Sequence, residues 1–242
     1  MSLDDRLATP QGKRAYVRTL FATIADRYDF ITVMLSYGQD RRWKRRLIEL
    51  ASIRAGQRVL DLATGTGDIA FAASERGGRV VGLDITYRMI QLACAKRSHP
   101  AFPALPAPPA FLVGDMLALP FPSTSFDIVT TGYGLRNVPD LGQGIDEISR
   151  VLTPGGQLLS LDFNRPSGAI LRSAYLAYLT AVGASLGWLL HRDPDTYRYI
   201  PRSITRYPGA PAVARMMQDD GFTSAECVRV LGGLMAIHVA RK

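Results

Sequence analysis

The chain reads as an α/β protein: a doubly wound, mostly parallel sheet of seven strands, finished by an antiparallel C-terminal hairpin. Three observations carry that reading. Between Arg58 and Phe163, short runs rich in Val, Ile and Leu alternate with helical stretches, the pattern of a parallel sheet covered by helices. The first run, RVLDL (58–62), leads into the turn Thr64-Gly65-Thr66-Gly67, which directly precedes a helical pattern. The C-terminal segment holds two apolar runs joined at Gly232-Gly233, a hairpin signal.

Residues 1–55 are helical in pattern and are expected to form an N-terminal cap. The sheet then begins with the strand 58–62, followed by a helix from about Asp68 to Arg76. RVVGLD (79–84) is the second strand, with a helix over 86–97. Prolines at 100, 103, 106, 108 and 109 exclude helix and central strand, so 98–110 is expected as an extended surface loop. Phe111–Gly114 starts a third strand, and FDIVTT (126–131) is the fourth, followed by a helix over 142–151. QLLSLDF (157–163) is the fifth, introduced by a Pro154-Gly155-Gly156 turn. The expected division is a cap (1–55), an α/β core (56–166), a helical insert (167–220) and a closing hairpin (221–242), all in one structural domain.

Composition narrows the function classes. With 242 residues, 47% hydrophobic and 21% charged, the chain can bury a large core without staples. Two distant cysteines, Cys94 and Cys227, exclude a disulfide scaffold and fit a reducing compartment. Three histidines (His99, His191, His238) lack metal-ligand spacing, so no metal is expected. The net charge of +8 draws the chain toward polyanions. No nucleic-acid-binding motif accompanies it, so nucleic acid is not expected. The N-terminus carries acids and lacks an apolar core, which points to the cytoplasm.

The stretch Gly65–Ala70 also satisfies G-x-G-x-x-A, a dinucleotide fingerprint, so the turn alone is ambiguous. Asp61 lies before the glycines and Asp68 directly after them, where a pyrophosphate would meet negative charge. Carboxylates suit a ligand with a cationic centre and an ammonium group, and S-adenosylmethionine has both. Asp84 ends the second strand, where it can accept from two ribose hydroxyls. Asp115 follows the third, where an adenine amino group needs an acceptor. An Asp at a strand end is often only a cap or turn former; three at one sheet edge beside a glycine turn point to binding.

These residues resemble the class I S-adenosylmethionine methyltransferases, through LDLATGTGD (60–68), GLDIT (82–86) and LPFPSTSFDIV (119–129). Longer motifs resemble the ubiquinone/menaquinone biosynthesis C-methyltransferases: IADRYDFITVMLSYGQDRRWKRR (24–46), GYGLRNVPD (132–140), EISRVLTPGGQLLSLDFNRP (147–166), and the tail from YRYIPRSITRYPG (197–209) onward. The resemblance implies a Rossmann-like class I fold and methyl transfer to a ring carbon of a polyprenylated quinol, either demethylmenaquinol or a 2-polyprenyl-6-methoxy-1,4-benzoquinol. It implies Thr66, Asp84, Asp115 and Met116 as cofactor contacts, to which the glycine turn itself adds Asp61, Thr64, Gly65 and Gly67 as candidates. Two departures stand out: the proline-rich loop is long, and Gly132 stands where some members carry a serine that contacts the cofactor. Another hydrophobic phenolic acceptor, or a non-catalytic scaffold in a quinone-synthesising assembly, remains an alternative.

Carbon methylation of a quinol needs an aromatic carbon made nucleophilic by a neighbouring phenolate. Arg136, on the loop after the fourth strand, is the best candidate to stabilise that charge, and a structural arginine is the competing reading. Asn137 could position the quinol oxygen or cap the loop. Tyr28, Tyr133 and Asp162 are weaker candidates that read first as packing or cap residues. His191 reads as a surface residue and His238 as structural. Ser173–Leu190 is 18 residues without a charge, at the threshold of a membrane span. Its polar and glycine content, and the hairpin still to come, argue for a helix or helical pair walling the site, with a buried pair or a homodimer contact as alternatives. The run Asp40–Arg46 is expected to meet anionic lipid at the inner face of the cell membrane, with Trp43 at the interface, unless it is only a solvated helix face.

Overall fold

The computed structural model describes residues 3–99, 105, 107–166, 168–193 and 196–242. Among them, four helices come first: α1 (Leu3–Arg6), α2 (Pro10–Ile24), α3 (Tyr28–Leu35) and α4 (Asp40–Ala51). The core follows as β1 (Arg58–Leu62), α5 (Asp68–Glu75), β2 (Arg79–Asp84), α6 (Tyr87–Arg97), β3 (Ala110–Val113), β4 (Phe126–Gly132), α7 (Leu141–Val151) and β5 (Leu152–Phe163). Then come α8 (Ala169–His191), α9 (Tyr199–Arg206), α10 (Ala210–Asp219), β6 (Ser224–Val230) and β7 (Met235–Arg241). Part of the proline-rich segment 98–110 lies outside the described residues.

The sheet runs in the order β3-β2-β1-β4-β5-β7-β6. β7 alone runs against the other strands, pairing Ser160 with His238 on one side and Cys227 with His238 on the other. The chain winds outward from β1 to β3 and then restarts at β4 on the other side of β1. Loops leaving the carboxyl ends of β1 and β4 therefore diverge and open a crevice, the usual ligand position in such sheets.

β5 starts earlier than the sequence suggests. Leu152 already pairs with Phe126, and a register shift between Phe126 and Ile128 absorbs the Pro154-Gly155-Gly156 segment as an irregularity of the strand. Gly155 can take its φ of 76° there without a Cβ clash, and its N–H reaches the Lys242 carbonyl at 3.0 Å.

Two apolar layers cover the sheet. Leu47, Ile69 and Leu179 of α4, α5 and α8 pack with Val59, Ile128 and Leu159. Ile145, Ile148, Val213 and Met217 of α7 and α10 pack with Leu60, Val129 and Leu158. A third cluster is helical: Leu20, Ile24, Ile31 and Leu35 of the cap meet Leu186, Tyr197 and Tyr199. The cap is thus bound to α8 and α9 as well as to the sheet. Helix α2 is started by Pro10 at its first turn and by Thr9, whose hydroxyl accepts the Gly12 N–H at 3.1 Å.

Trp43 corrects an expectation. It is 4% exposed and packs in the sheet-facing cluster rather than at an outer interface. It shares one helix face with Leu47, four residues on, and that face meets β5, while Arg41, Arg42, Arg45 and Arg46 project outward.

Candidate functional site: two clefts meeting at Tyr28 and Tyr133

A cleft of about 700 Å³ opens at the carboxyl edge of β1, β2 and β4. Its floor is made by Gly65, Asp84, Thr86, Asp115 and Met116, and α2 roofs it with Arg14, Val17 and Phe21. The backbone after β1 is left-handed at Ala63 (φ 51°), Gly65 (φ 55°) and Gly67 (φ 91°), which folds the turn back over the strand ends. Gly67 also needs to lack a Cβ, since one would lie 2.9 Å from both Phe71 and Phe111.

Asp84 is buried on the cleft wall. Its carboxylate accepts the N–H groups of Gly65 at 2.9 Å and Thr86 at 2.8 Å, tying the glycine turn to the end of β2. Burial raises its pKa, against the pull of those hydrogen bonds. One backbone donor per oxygen leaves lone pairs free for ligand hydroxyls. Asp115 accepts from the Leu117 N–H at 3.0 Å and pairs with Arg14 of the cap at 2.6 Å.

The other expected cofactor residues lie around this cleft, not all in its lining. Asp61 is fully buried beneath the turn, with its oxygens taken by the hydroxyls of Thr64 (2.6 Å) and Thr130 (2.8 Å). Burial pushes its pKa up to about 7, although the two hydroxyls and Lys44 oppose the shift. Thr66 donates to Asp29 of α3 at 2.6 Å. Gly132 lines the cleft, and a Cβ there would lie 2.6 Å from Ile69 Cδ1, so this chain fills with isoleucine the space a serine would take.

Asp68 differs from the sequence reading. Its charge is compensated by Lys44 at 2.9 Å and Lys96 at 3.1 Å. Burial works against ionisation, yet the two ammonium groups win and hold the carboxyl down at about 2. It therefore offers little argument against a pyrophosphate. Lys96 also reaches Asp29 (2.6 Å) and Thr66 (2.9 Å), while Lys44 reaches Asp40 (2.6 Å), which accepts from the Tyr133 hydroxyl at 2.7 Å. This chain of charges, unseen in the sequence, ties the cap to the glycine turn and to Tyr133. The one local signal was Asp40-x-x-x-Lys44 on a single helix face.

A second cleft of about 580 Å³ adjoins the first, and Phe21, Tyr28 and Tyr133 line both. Most of its wall is apolar, including Leu20, Ile24, Ile31, Leu35 and Ile200. Tyr133 sits at the end of β4 with φ 61°, a conformation that a non-glycine residue keeps only when its surroundings impose it. Burial raises the Tyr28 phenol to about 12 and the Tyr133 phenol well above its ordinary range, so neither is an effective base at neutral pH.

Arg136 faces the second cleft and is 5% exposed. Its Nε donates to Asp162 Oδ1 at 3.2 Å, its backbone N–H to Oδ2 at 3.0 Å, and its Nη1 to the Ser203 hydroxyl. The guanidinium also lies 5.1 Å from the Phe163 ring centroid. Burial raises the Asp162 pKa, while Arg136 pulls it back. Asn137 lines the first cleft; its amide donates to the Tyr133 carbonyl at 2.6 Å and accepts from the Tyr199 hydroxyl at 3.0 Å. His191 contacts Tyr197 at 2.9 Å, and His238 contacts the Ala210 carbonyl at 2.9 Å; both lie outside the two clefts.

The model of the ubiE/COQ5 methyltransferase family matches residues 9–242. The chain belongs to that family. A demethylmenaquinone methyltransferase of Thermus thermophilus is 40% identical over 222 residues, covering 91% of this chain and 98% of that protein. A ubiquinone/menaquinone biosynthesis C-methyltransferase of Serratia proteamaculans is 38% identical over 236 residues, covering 96% and 93%. Among solved structures, an S-adenosylmethionine-dependent methyltransferase from Aquifex aeolicus superposes with a TM-score of 0.58 at 16% identity, over 82% of this chain and 88% of that one. One from Thermotoga maritima gives 0.61 at 15% identity, over 93% and 99%. At such identities the likeness is one of fold: the class I methyltransferase sheet expected from the sequence.

Proposed function

We propose that this protein transfers the methyl group of S-adenosylmethionine to a ring carbon of a polyprenylated quinol, with demethylmenaquinol the favoured acceptor. The observation that carries the reading is the meeting of a carboxylate-lined cleft with an apolar one at Tyr28 and Tyr133, with Arg136 buried on the apolar side. The first cleft suits the cofactor, since Asp84 and Asp115 present acceptors to hydroxyl and amino groups and a negative field to a cation.

S-adenosylmethionine supplies an electrophilic sulfonium methyl group when bound. The chain has three tasks. Asp84, Gly65, Asp115 and Met116 hold the cofactor in the first cleft. The apolar wall of the second orients the ring and keeps water from it. Arg136, a permanent cation held by Asp162 and Ser203, stabilises negative charge on the quinol oxygen as the ring carbon becomes nucleophilic. Asn137 and Tyr28 border the junction and fix the ring's approach.

Access to a bilayer-bound substrate is part of the reading. Arg41, Arg42, Arg45 and Arg46 project from α4, and exposed apolar side chains lie on α3 (Phe30, Met34) and at the two ends of α8 (Ile170, Trp188). Cations suit an anionic lipid surface, and these rings and alkyl chains its interface. Purified protein incubated with S-adenosylmethionine and demethylmenaquinol tests the assignment by mass spectrometry: the quinol gains the mass of one methylene. A cofactor-binding protein that leaves both the naphthoquinol and the benzoquinol unmodified would refute it.

A further inference from the structure

Lys13 lies on the cap helix α2, yet its ammonium reaches into the loop after β4. Its Nζ donates to the Arg136 carbonyl at 3.2 Å and to the Val138 carbonyl. These carbonyls flank Asn137 in the short turn that carries Arg136, closed by the Asn137 N–H to Gly134 carbonyl bond at 2.9 Å. The cation sits in a third cavity, of about 680 Å³, with Leu7, Leu135 and Leu141 on its walls. The charged and titratable groups facing it are Arg136, Arg206, Asp162, Tyr199 and Tyr207. Burial, then Arg136, then Arg206 lower its pKa to about 8, and Asp162 alone pulls the other way. A cation next to two guanidinium groups is a costly way to fill an apolar niche, and what it gains is its grip on two carbonyls.

We propose that Lys13 is a positioning residue: it clamps the Arg136 and Val138 carbonyls, so that the turn carrying Arg136 takes its working geometry only when α2 is seated over the clefts. The proposal rests on the reading of Arg136 as the group that stabilises the quinol oxygen. It makes α2 the link between the cofactor side, which it roofs through Arg14, Val17 and Phe21, and the acceptor side, which it reaches through Lys13.

The test compares Lys13→Met, Lys13→Arg and Arg136→Lys in the full chain, with turnover expressed per cofactor-binding site counted by calorimetry so that unfolded protein drops out. For Lys13→Met the expected result is a fall in kcat of ~10- to 100-fold, the scale set by misplacing a catalytic group by about an ångström. KM for demethylmenaquinol and Kd for S-adenosylmethionine should stay within about threefold. Lys13→Arg should recover most of kcat, because a guanidinium has donors enough for both carbonyls. The clamp is overturned by full turnover in Lys13→Met beside an impaired Arg136→Lys, by an arginine variant no better than methionine, or by a loss confined to cofactor affinity. Full turnover in Arg136→Lys would instead overturn the reading of Arg136, and the clamp with it.

Discussion

Replacing Arg136 separates what it does for the fold from what it does for the reaction, provided the partner left behind is taken into account. Asp162 is 1% exposed and accepts the Arg136 N–H at 3.0 Å, the Phe163 N–H at 2.8 Å and Arg136 Nε at 3.2 Å. Arg136→Ala removes the cation paired with Asp162 and leaves a buried carboxylate with two backbone donors. Breaking a buried pair in this way costs about 3–5 kcal/mol, and the surviving donors favour the lower end. For a chain of this size, each kcal/mol lowers the melting temperature by about 2–4 °C, so Arg136→Ala should melt roughly 6–12 °C lower. That loss alone would depress activity, so the single alanine variant is a poor test of catalysis. The double variant Arg136→Met/Asp162→Asn removes both charges at similar volume, and its melting temperature should recover part of the loss, because the carboxamide keeps one acceptor oxygen for the two backbone N–H groups. Its turnover should still be down by ~10²-fold or more, the scale of losing one transition-state donor. Cofactor affinity should hold within about threefold, because Arg136 does not line the first cleft. Calorimetry, a thermal melt and a methyl-transfer assay on the same preparations decide the matter. A double variant that turns over near the wild-type rate would show that the pair serves only the fold.

Asp84→Ala should weaken S-adenosylmethionine binding by about 1.5–3 kcal/mol, because the ligand's hydroxyls lose a charged acceptor and the Gly65 and Thr86 N–H groups lose theirs; an unchanged Kd in a folded variant removes Asp84 from the site. Asp61, with its folded pKa raised to about 7 from an ordinary 3.8, favours the fold when protonated, so its contribution is present at low pH and is lost as pH rises from about 4 to about 7. Asp61→Asn stays neutral throughout, and its melting temperature should therefore gain on wild type across that window; a gap independent of pH contradicts the assignment. Reversing Arg41, Arg42, Arg45 and Arg46 to glutamate should abolish co-sedimentation with anionic vesicles, which in wild type should weaken with salt. Equal binding of wild type to neutral and anionic vesicles would mean that the basic face is merely solvated.

The parts of the architecture governed by local rules were legible in the sequence. Strand periodicity placed β1 and β2 at their observed bounds, and the alternation with helices implied the parallel order. What escaped was contact between residues distant in the chain. Nothing in Asp68 itself announces that Lys44 and Lys96 neutralise it, because those lysines reach it only once α4 and α6 have packed. Trp43 beside four arginines resembles an interfacial aromatic until the helix phase is set by β5. Asp61 and Asp84 look alike as acids at strand ends. The difference between a carboxylate consumed by two hydroxyls and one on a cleft wall depends on Thr130 of the neighbouring strand.

Helix α8 shows how composition and packing can point in different directions. It is the one helix among the described residues long and apolar enough to cross a membrane, and 28% of its most apolar window is buried. A spanning helix must shed its protein contacts on the sides that face lipid, and α8 is held by a stripe of them. Tyr175, Leu179, Gly183 and Leu186 recur at helical spacing and point inward. Gly183 is the tightest point: a Cβ there would lie 3.1 Å from Tyr197 Cβ. Tyr178 stacks on Tyr37 with ring centroids 4.8 Å apart, joining α8 to the segment after α3. Tyr197 and Leu35 belong to the wall of the acceptor cleft, so drawing α8 into a bilayer would dismantle the site that a lipid substrate must enter. The apolar residues that remain outside, Ile170 at one end and Trp188 and Leu189 at the other, are free to meet an interface without that loss. Helix α8 lines neither cleft itself; anchored along one stripe, it backs the wall of the second through Tyr197, and under the proposed reading its apolar exposed ends are the part that would meet a membrane surface.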